Sequence, residues 1–290
     1  MRARRRDLVL SDVERRVALR EIVGFETLSD EALSAIARLS RRRELSPGST
    51  TRIQPGERRT SICLLAGDLE LLRMGRVSPF AHDRRVLDVY WLARDSMPLE
   101  VKTAGGAVVL EFPLDGLEEV LEEHFSVWVA STQTLASCLL NVRPPSPEQT
   151  VERLANGDLR RLTERLAALQ EALPFGRGYI DALMQLDEEA VEVRYDVDDV
   201  IWRPGDEADS VLVPLDGAVR GVASDEPCGI GSLEVLASRV RSTALEVARP
   251  FTALRVGRES LFDLVEDHHE LARDLLAMIA ASVVQSVEDG

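Results

Sequence analysis

One segment of the chain combines the residue types that bind an anion. Residues 230–247 read IGSLEVLASRVRSTALEV, with Gly231 near the start and Arg241 directly ahead of Ser242 and Thr243. Small residues let backbone N–H groups approach an anion, and a guanidinium can hold a phosphate with two parallel hydrogen bonds. The segment is therefore either a phosphate cradle or a short buried helix that runs into a strand.

The rest of the sequence offers no catalytic or metal-binding pattern. Its four histidines do not occur as HxH or HExxH, and there is no paired CxxC, no P-loop and no Gly-x-Ser-x-Gly motif. The three cysteines lie far apart in apolar or small-residue surroundings, as core thiols do in a reducing cytoplasm. We predict a protein that is not an enzyme and that has no metal or cofactor.

Composition and charge exclude several other classes. The net charge of −15 over 290 residues argues against a general nucleic-acid binder. Residues 1–60 hold 14 arginines and 9 acidic residues, a net of +5, so the remainder carries −20. Arg15, Arg16 and Arg20 are spaced as a solvated helix face. No apolar run approaches the roughly 18–20 residues that span a membrane, and the basic N-terminus lacks the apolar block of a secretory signal. We expect a cytoplasmic protein without a membrane partner.

The two halves of the chain repeat one pattern. Residues 52–67 and 201–217 each contain a Pro-Gly-acid turn, a serine, an alternating apolar strand and a glycine. Leu33 matches Leu183 at an offset of 150, and the apolar runs further along match at an offset of 144. Loop insertions explain the drift, mainly the stretch RMGRVSPFAHDRR at 73–85. This agreement in order and spacing predicts an internal duplication.

Each copy has the pattern of an α+β domain. An amphipathic helix comes first, several short strands with Gly/Pro turns follow, and a helix closes the copy, with a break near His268 expected in the second copy. Such a unit predicts a small closed β-barrel or jelly roll. The predicted division is a basic N-terminal helix or arm at 1–20, a first domain at 21–142, the Pro-rich linker RPPSPEQT at 143–150, and a second domain at 151–290.

The order of these motifs resembles a known family. A helix precedes Pro-Gly-Asp-x-Ala-Asp-Ser with a glycine 13 residues after the proline, then Ile-Gly-Ser-Leu-Glu-Val-Leu, Arg-Ser-Thr-Ala-Leu and a terminal helix. This order is similar to the cyclic nucleotide-binding domain of the catabolite activator and protein kinase A regulatory subunit superfamily. The resemblance covers most of 175–285 and, more weakly, 20–141. It implies two cyclic nucleotide-binding-like β-rolls, each flanked by N- and C-terminal helices.

The resemblance places the opening segment at that family's phosphate-binding cassette, Phe-Gly-Glu-Leu-Ala-Leu-Leu followed by Pro-Arg-Ala-Ala-Thr-Val. There the glycine and nearby amides approach the ligand, the glutamate takes the ribose 2′-hydroxyl, and the arginine pairs with the cyclic phosphate. The implied ligand is cyclic AMP or cyclic GMP. Ser232 replaces the glutamate, and losing such a charge-assisted hydrogen bond costs on the order of 1.5–3 kcal/mol. The implied ligand-binding residues are Gly231, Ser232, Leu233, Arg241, Ser242 and Thr243.

The first copy has lost the cation of the cassette. Its aligned segment is VLDVYWLARDSMPLEV at 86–101, where Leu87, Asp88, Met97 and Pro98 replace the glycine, the glutamate, the arginine and the small residue. An anionic ligand would meet a carboxylate and apolar walls there. We expect the first copy to bind no cyclic nucleotide and to serve as a structural or docking unit.

Two functions stay open at this point. In the first, the second copy senses a cyclic nucleotide and its terminal helix moves to signal to a protein partner. In the second, both copies are ligand-independent scaffolds, Arg241 pairs with an acid such as Glu234, and the terminal helix forms a homodimer, contacts a partner or lies on its own β-roll. The chain ends after that helix, so we expect no DNA-binding domain. A cupin-type enzyme would need metal ligands on adjacent strands, which the sequence does not supply.

Overall fold

The structure, a computed structural model, describes residues 11–22, 25–53, 60–73, 75–77, 89–94, 99–154, 161–172, 179–223, 226 and 228–288. The chain divides into two compact units, Met1–Thr134 and Leu135–Gly290. Helices alternate with strands that pair antiparallel, so the predicted α+β class is confirmed. Within these residues no helix is both long and apolar enough to span a bilayer.

Unit 1 combines helices with two small sheets. Its elements are α1 Asp12–Arg20, a 3-10 turn Phe25–Thr27, α2 Asp30–Leu39, β1 Arg41–Leu45, β2 Thr50–Ile53, β3 Thr60–Gly67, β4 Glu70–Arg73, β5 Arg76–Val77, α3 Val89–Leu92, β6 Leu99–Lys102, β7 Ala107–Pro113 and α4 Leu114–Glu123. The boundary between the two units falls within the next helix, α5 Phe125–Val142. One sheet has the strand order β1-β7-β3, and the other has the order β2-β6-β4-β5.

Alternation of apolar residues along the strands of unit 1 creates two buried layers. Leu71, Val101 and Val109 come from strands of both sheets and form one apolar cluster, so the two sheets share a core. Phe112 of β7 belongs to a second cluster, where it is fully buried together with helix residues such as Leu33. Because successive side chains of a strand point to opposite faces, β7 supports both layers.

Unit 2 contains the same kinds of element with longer central strands. They are β8 Ser146–Arg153, α6 Arg161–Ala172, α7 Ile180–Glu189, β9 Val191–Tyr195, β10 Val200–Trp202, β11 Ser210–Val222, α8 Ser232–Leu236, β12 Leu245–Gly257, α9 Arg258–Asp267 and α10 His269–Glu288. The strand order is β10-β12-β11-β8, and β9 also pairs with β12. Leu212, Val219, Leu245 and Phe251 lie in the apolar core of this sheet.

The strands of both units pair in the same register. A pair in unit 1 becomes a pair in unit 2 when the earlier residue is shifted by 150 and the later residue by 144. On this basis β11 spans the positions of β3 and β4, and β12 spans those of β6 and β7. The equivalent pairs are Arg43–Val109 with Val193–Ala253, Ser61–Phe112 with Val211–Val256, and Glu70–Lys102 with Arg220–Glu246.

A glycine occupies the same bend in each unit. Gly67 has a φ of 92° and Gly217 a φ of 105°, both in the left-handed region that favours glycine. A Cβ atom at Gly67 would overlap the carbonyl of Gly106, and one at Gly217 would overlap the carbonyl of Pro250. The close approach of the neighbouring backbone therefore requires glycine at both positions. The strand register shifts at Gly217 in unit 2 and just before Gly67, between Leu64 and Ala66, in unit 1.

The segment predicted as a linker at 143–150 contains the start of a strand. From Ser146 onward it forms β8, which pairs with the second half of β11, and Val151 lies opposite Val219 and packs against the core. In unit 1, β4 corresponds to the second half of β11, and it pairs with β5. Pro147 is tolerated in β8 because this strand lies at the end of the described strand order.

Residues 11–20, predicted as part of a separate basic arm, belong to unit 1; residues 1–10 lie outside the described residues. Ser11 caps α1, since the Glu14 N–H donates to Ser11 Oγ at 3.3 Å and the Ser11 N–H donates to the Glu14 carboxylate at 2.7 Å. Arg15 Nη1 donates to the carbonyl oxygens of Ala37 and Ser40 at the end of α2, at 3.1 and 2.9 Å. Arg15 therefore joins α1 to α2 and is not part of a solvated face.

Arg165 makes the equivalent contact in unit 2, 150 residues later. Its Nη2 donates to the carbonyl oxygens of Asp187 and Ala190 at 2.8 and 3.2 Å, and its Nε donates to the Asp187 carboxylate at 2.6 Å. A guanidinium at a helix C-terminus satisfies carbonyl groups that lack partners within the helix. The repeated pattern therefore begins with the helix that carries this arginine.

The closing helix is divided in both units. His124 separates α4 from α5, and His268 separates α9 from α10, with φ/ψ values of −127°/83° and −121°/80°. The predicted break near His268 is confirmed, and both histidines occupy the C-cap position. The apolar stripe of α9 and α10 is buried within the chain, so it is not the exposed surface that a homodimer through this helix would need. Its residues are Leu261, Leu264, Val265, Leu271, Leu275, Leu276, Ile279 and Val283.

We predict that Arg165→Ala destabilises unit 2 by about 1–3 kcal/mol, because it leaves the Asp187 carboxylate and the end of α7 without their hydrogen bonds. Urea unfolding monitored by circular dichroism measures the loss. The matched control is Arg194→Ala, which removes an exposed ion pair with Glu192 at 3.0 Å and should change stability by about 0.5 kcal/mol or less. Equal effects of the two substitutions would contradict this role for Arg165.

Candidate functional site

The predicted cassette forms one continuous feature of unit 2. The short helix α8 begins directly after Gly231, and Arg241 lies four residues before β12. Two isolated bridges connect the feature to neighbouring backbone: Leu212 pairs with Ile230, and Glu207 pairs with Val240. The Arg241 N–H also donates to the Asp206 carbonyl at 2.8 Å. The turn at Pro-Gly-Asp and the cassette are therefore adjacent, as the sequence order implied.

Gly231 has a φ of 79° and a ψ of 8° at the N-cap of α8. A Cβ atom at this position would overlap Arg241 Nη1 and would lie 2.9 Å from the Trp202 ring. Its carbonyl oxygen accepts a hydrogen bond from Arg241 Nη1 at 2.8 Å. The glycine is needed both for the left-handed backbone and for the space that the guanidinium occupies.

Arg241 is enclosed by the protein, with a side chain that is 1% exposed. Its Nη1 donates to Gly231 and to the Glu234 carboxylate, and its Nη2 donates to the Ser210 carbonyl oxygen. The guanidinium carbon lies 4.0 Å from the centroid of the Trp202 ring, a cation–π contact. Burial lowers the pKa of Arg241, and the Glu234 carboxylate opposes that shift. Within the part of the chain that the structure describes, the Nε atom of Arg241 is buried and has no hydrogen-bond partner.

Glu234 supplies the charge that balances Arg241. Its Oε2 atom lies 3.3 Å from Arg241 Nη1, and its side chain is 5% exposed. Its other oxygen, Oε1, accepts hydrogen bonds from the Ser242 N–H at 2.7 Å and from Ser242 Oγ at 2.6 Å. One carboxylate therefore receives the guanidinium that the resemblance assigned to a phosphate, together with the amide and the hydroxyl of Ser242.

Ser232 lies next to a carboxylate that the sequence comparison did not place. Its Oγ donates to Glu226 at 3.4 Å and accepts from the Cys228 N–H at 3.3 Å. The Ala223 N–H donates to the same carboxylate at 3.2 Å. Burial, reinforced by the nearby Glu234 carboxylate and opposed by backbone hydrogen bonds, raises the pKa of Glu226 to about 7. An acid is thus present beside position 232, although it comes from a residue six positions earlier.

The other two predicted site residues have structural contacts. Leu233 is 2% exposed and belongs to the buried interior. Thr243 Oγ1 donates to the Pro145 carbonyl oxygen at 3.3 Å, which connects the cassette to the residue just before β8. In the described contacts, Leu233 therefore packs in the interior, and Thr243 connects the cassette to the start of β8.

The cassette position of the first copy falls largely outside the described residues. Leu87, Asp88, Met97 and Pro98 lie there, so the predicted loss of ligand contacts in unit 1 stays a prediction. Residues 89–92 form the helical turn α3, at the offset of 144 from α8. The two units therefore place a short helix at the same point of the chain.

The sequence indicated Glu234 as a possible partner of Arg241, but two other contributors to the site were missed. Glu234 occupies the position of the alanine in the family cassette, one helical turn from Gly231. Trp202 had no motif to identify it, since its contact depends on how β10 approaches the cassette. Glu226 was hidden because the comparison aligned only position 232 with the family's glutamate.

Comparison with known proteins gives structural matches only. No protein-family model and no curated protein matches the chain. The regulatory domain of Toxoplasma gondii PKA with cAMP is 11% identical and covers 89% of this chain and 95% of its own, with a TM-score of 0.34. The regulatory subunit of a cAMP-independent protein kinase A from Trypanosoma brucei is 13% identical over 96% and 89%, with a TM-score of 0.35.

A shorter structure also matches. The sensor domain of the transcriptional regulator DNR from Pseudomonas aeruginosa is 15% identical and covers 45% of this chain and 91% of its own, with a TM-score of 0.36. The matching structures include regulatory domains of protein kinase A described as bound to cAMP.

Gly231→Ala should destabilise the chain much more than Gly205→Ala. Both glycines have positive φ, 79° and 93°, but a Cβ at Gly205 meets nothing within 4 Å. Each substitution costs about 1–2 kcal/mol for the left-handed backbone, and the overlap at Gly231 adds about 1–3 kcal/mol. Urea unfolding of the two variants measures the difference. Equal stability of the two variants would show that the Arg241 side chain moves aside freely.

The raised pKa of Glu226 predicts that stability falls as pH rises from about 5 to about 8. The folded chain binds a proton at this residue up to about pH 7, whereas the unfolded chain releases it near pH 4.5. The stabilisation is complete below pH 4.5 and is lost as pH passes 7, by about 3 kcal/mol. Glu226→Gln should remove this part of the pH dependence in urea unfolding, and an unchanged slope would refute the assignment.

Proposed function

We propose that this chain is a non-catalytic regulatory protein made of two cyclic nucleotide-binding-like units and that it acts on a protein partner without a ligand in unit 2. The observation behind this proposal is the Arg241–Glu234 pair, in which a carboxylate of the protein takes the guanidinium expected for a phosphate and also accepts two hydrogen bonds from Ser242. Unit 1 serves as a structural or docking unit, in keeping with the missing cation at its cassette position.

The enclosure of Arg241 supports ligand independence. Two backbone carbonyl oxygens, one carboxylate and one indole ring already surround the guanidinium, which is 1% exposed. A phosphate that entered would have to displace Glu234, and each hydrogen bond lost by that buried carboxylate costs on the order of 1–3 kcal/mol. The displaced negative charge would also lie close to the incoming one. The closed arrangement is therefore favoured at ordinary nucleotide concentrations.

A second candidate function is sensing of cyclic AMP or cyclic GMP by unit 2. The specific observation in its favour is Glu226, whose carboxylate lies 3.4 Å from Ser232 Oγ and could accept a ribose hydroxyl in place of the missing glutamate. The Nε–H group of Arg241 is also a hydrogen-bond donor without a partner among the described residues. This function requires the Glu234 side chain to leave Arg241 when the nucleotide binds.

Titration of the intact chain with cyclic AMP and cyclic GMP distinguishes the two candidates. Ligand independence predicts no binding heat and no shift in melting temperature at millimolar nucleotide. An Arg241→Ala variant should melt at a lower temperature, because it leaves the buried Glu234 without its cation. Saturable binding by the wild-type chain that Arg241→Ala abolishes would establish the sensor and overturn the ligand-independent function.

A further inference from the structure

We infer that Glu234 is a built-in anion that fills a latent binding site for a singly charged phosphate ester in unit 2. The inference rests on the proposed function, because it explains why that site needs no ligand. According to this inference, the Glu234 side chain alone determines whether the site is closed or open. The same position would then determine whether a protein of this architecture binds a nucleotide.

The geometry of the donors supports the inference. Three hydrogen-bond donors from two residues converge on the Glu234 carboxylate: Arg241 Nη1 at 3.3 Å, the Ser242 N–H at 2.7 Å and Ser242 Oγ at 2.6 Å. A charged nitrogen, a backbone amide and a hydroxyl also suit phosphate oxygens, which accept several hydrogen bonds at once. Removal of the Glu234 carboxylate would take away the acceptor of all three of these hydrogen bonds.

The surroundings hold the donors in place independently of Glu234. Arg241 remains anchored through the carbonyl oxygens of Gly231 and Ser210, and its flat face lies against Trp202. Ser242 follows Arg241 in the chain, whose backbone is fixed by the hydrogen bond between the Arg241 N–H and the Asp206 carbonyl. A shorter residue at position 234 would therefore leave an anion site that is already assembled.

The charge balance selects a monoanion. Arg241 is the cation in contact with Glu234, and it balances one negative charge. The Glu226 carboxylate lies 3.4 Å from Ser232 Oγ, and in its ionised form it would oppose a second negative charge. The same Glu226 and Ser232 oxygens can accept hydrogen bonds from a hydroxyl. These features together fit a phosphodiester with a neighbouring hydroxyl better than a phosphate dianion.

The test is to open the site with Glu234→Ala and to measure binding of cyclic AMP by isothermal titration of the full chain at pH 7. We expect Glu234→Ala to bind at least about tenfold more tightly than the wild-type chain, a difference of about 1.4 kcal/mol. The double variant Glu234→Ala/Arg241→Ala should lose the gain. Inorganic phosphate and sulfate form a second arm, which separates recognition of the anion from recognition of the nucleoside.

Each outcome bears on the inference. A gain with cyclic AMP supports the full assignment, and a gain with sulfate or phosphate alone overturns the phosphodiester part of it. No gain with any probe, in a folded Glu234→Ala variant, overturns the latent site. If that variant does not fold, Glu234→Gln is used instead, because it keeps the size of the side chain and removes its charge. Added anion should then raise the melting temperature of Glu234→Gln more than that of the wild-type chain. Equal shifts in melting temperature would overturn the inference. Tight binding by the wild-type chain instead refutes the proposed function.

Discussion

The structure of unit 2 depends on the neutralisation of one buried guanidinium. A charge removed from water is tolerated only when a counter-charge and hydrogen bonds replace its hydration. Arg241 satisfies this condition by drawing in Glu234, two backbone carbonyl oxygens and the face of Trp202. The left-handed glycine at 231 follows from the same condition, since any larger residue would occupy the guanidinium's space.

The sheets that surround this pair are the product of a repeated register. The strand pairs of both units coincide after shifts of 150 and 144, and the bends at Gly67 and Gly217 face the same neighbouring backbone positions. Two such units can diverge at the cassette without changing their sheets, because the register depends on apolar alternation and glycine bends. The loss of a cation from the first copy and the gain of an internal carboxylate in the second are two such divergences in the sequence.

Much of this architecture could be predicted from the sequence because its signals are local. Apolar alternation, Pro-Gly turns and the cassette spacing indicated the α+β class, the break at His268 and the proximity of Gly231 to Arg241. The edge strand β8 was missed because three prolines dominate the segment 143–150 in which it begins, whereas its pairing depends on an available partner far along the chain. Trp202 and Glu226 were missed because their contacts exist only after distant segments have met. Glu234 was readable as an acid near Arg241, but not as the acceptor for Ser242.

The position of β8 in the chain also has a consequence for the order of folding. Arg153 pairs with Gly217 and Ser146 with Val222, so this edge of the sheet closes loops of more than sixty residues. Closure of long loops slows folding because chain entropy must be lost before the contacts form. During synthesis, β8 leaves the ribosome before its partner β11, and the helices α6 and α7 and the strands β9 and β10 emerge between them. It must wait in solution for its partner, and its mostly polar and charged sequence, SPEQTVER, with one proline, suits a strand that has to remain unpaired for that interval.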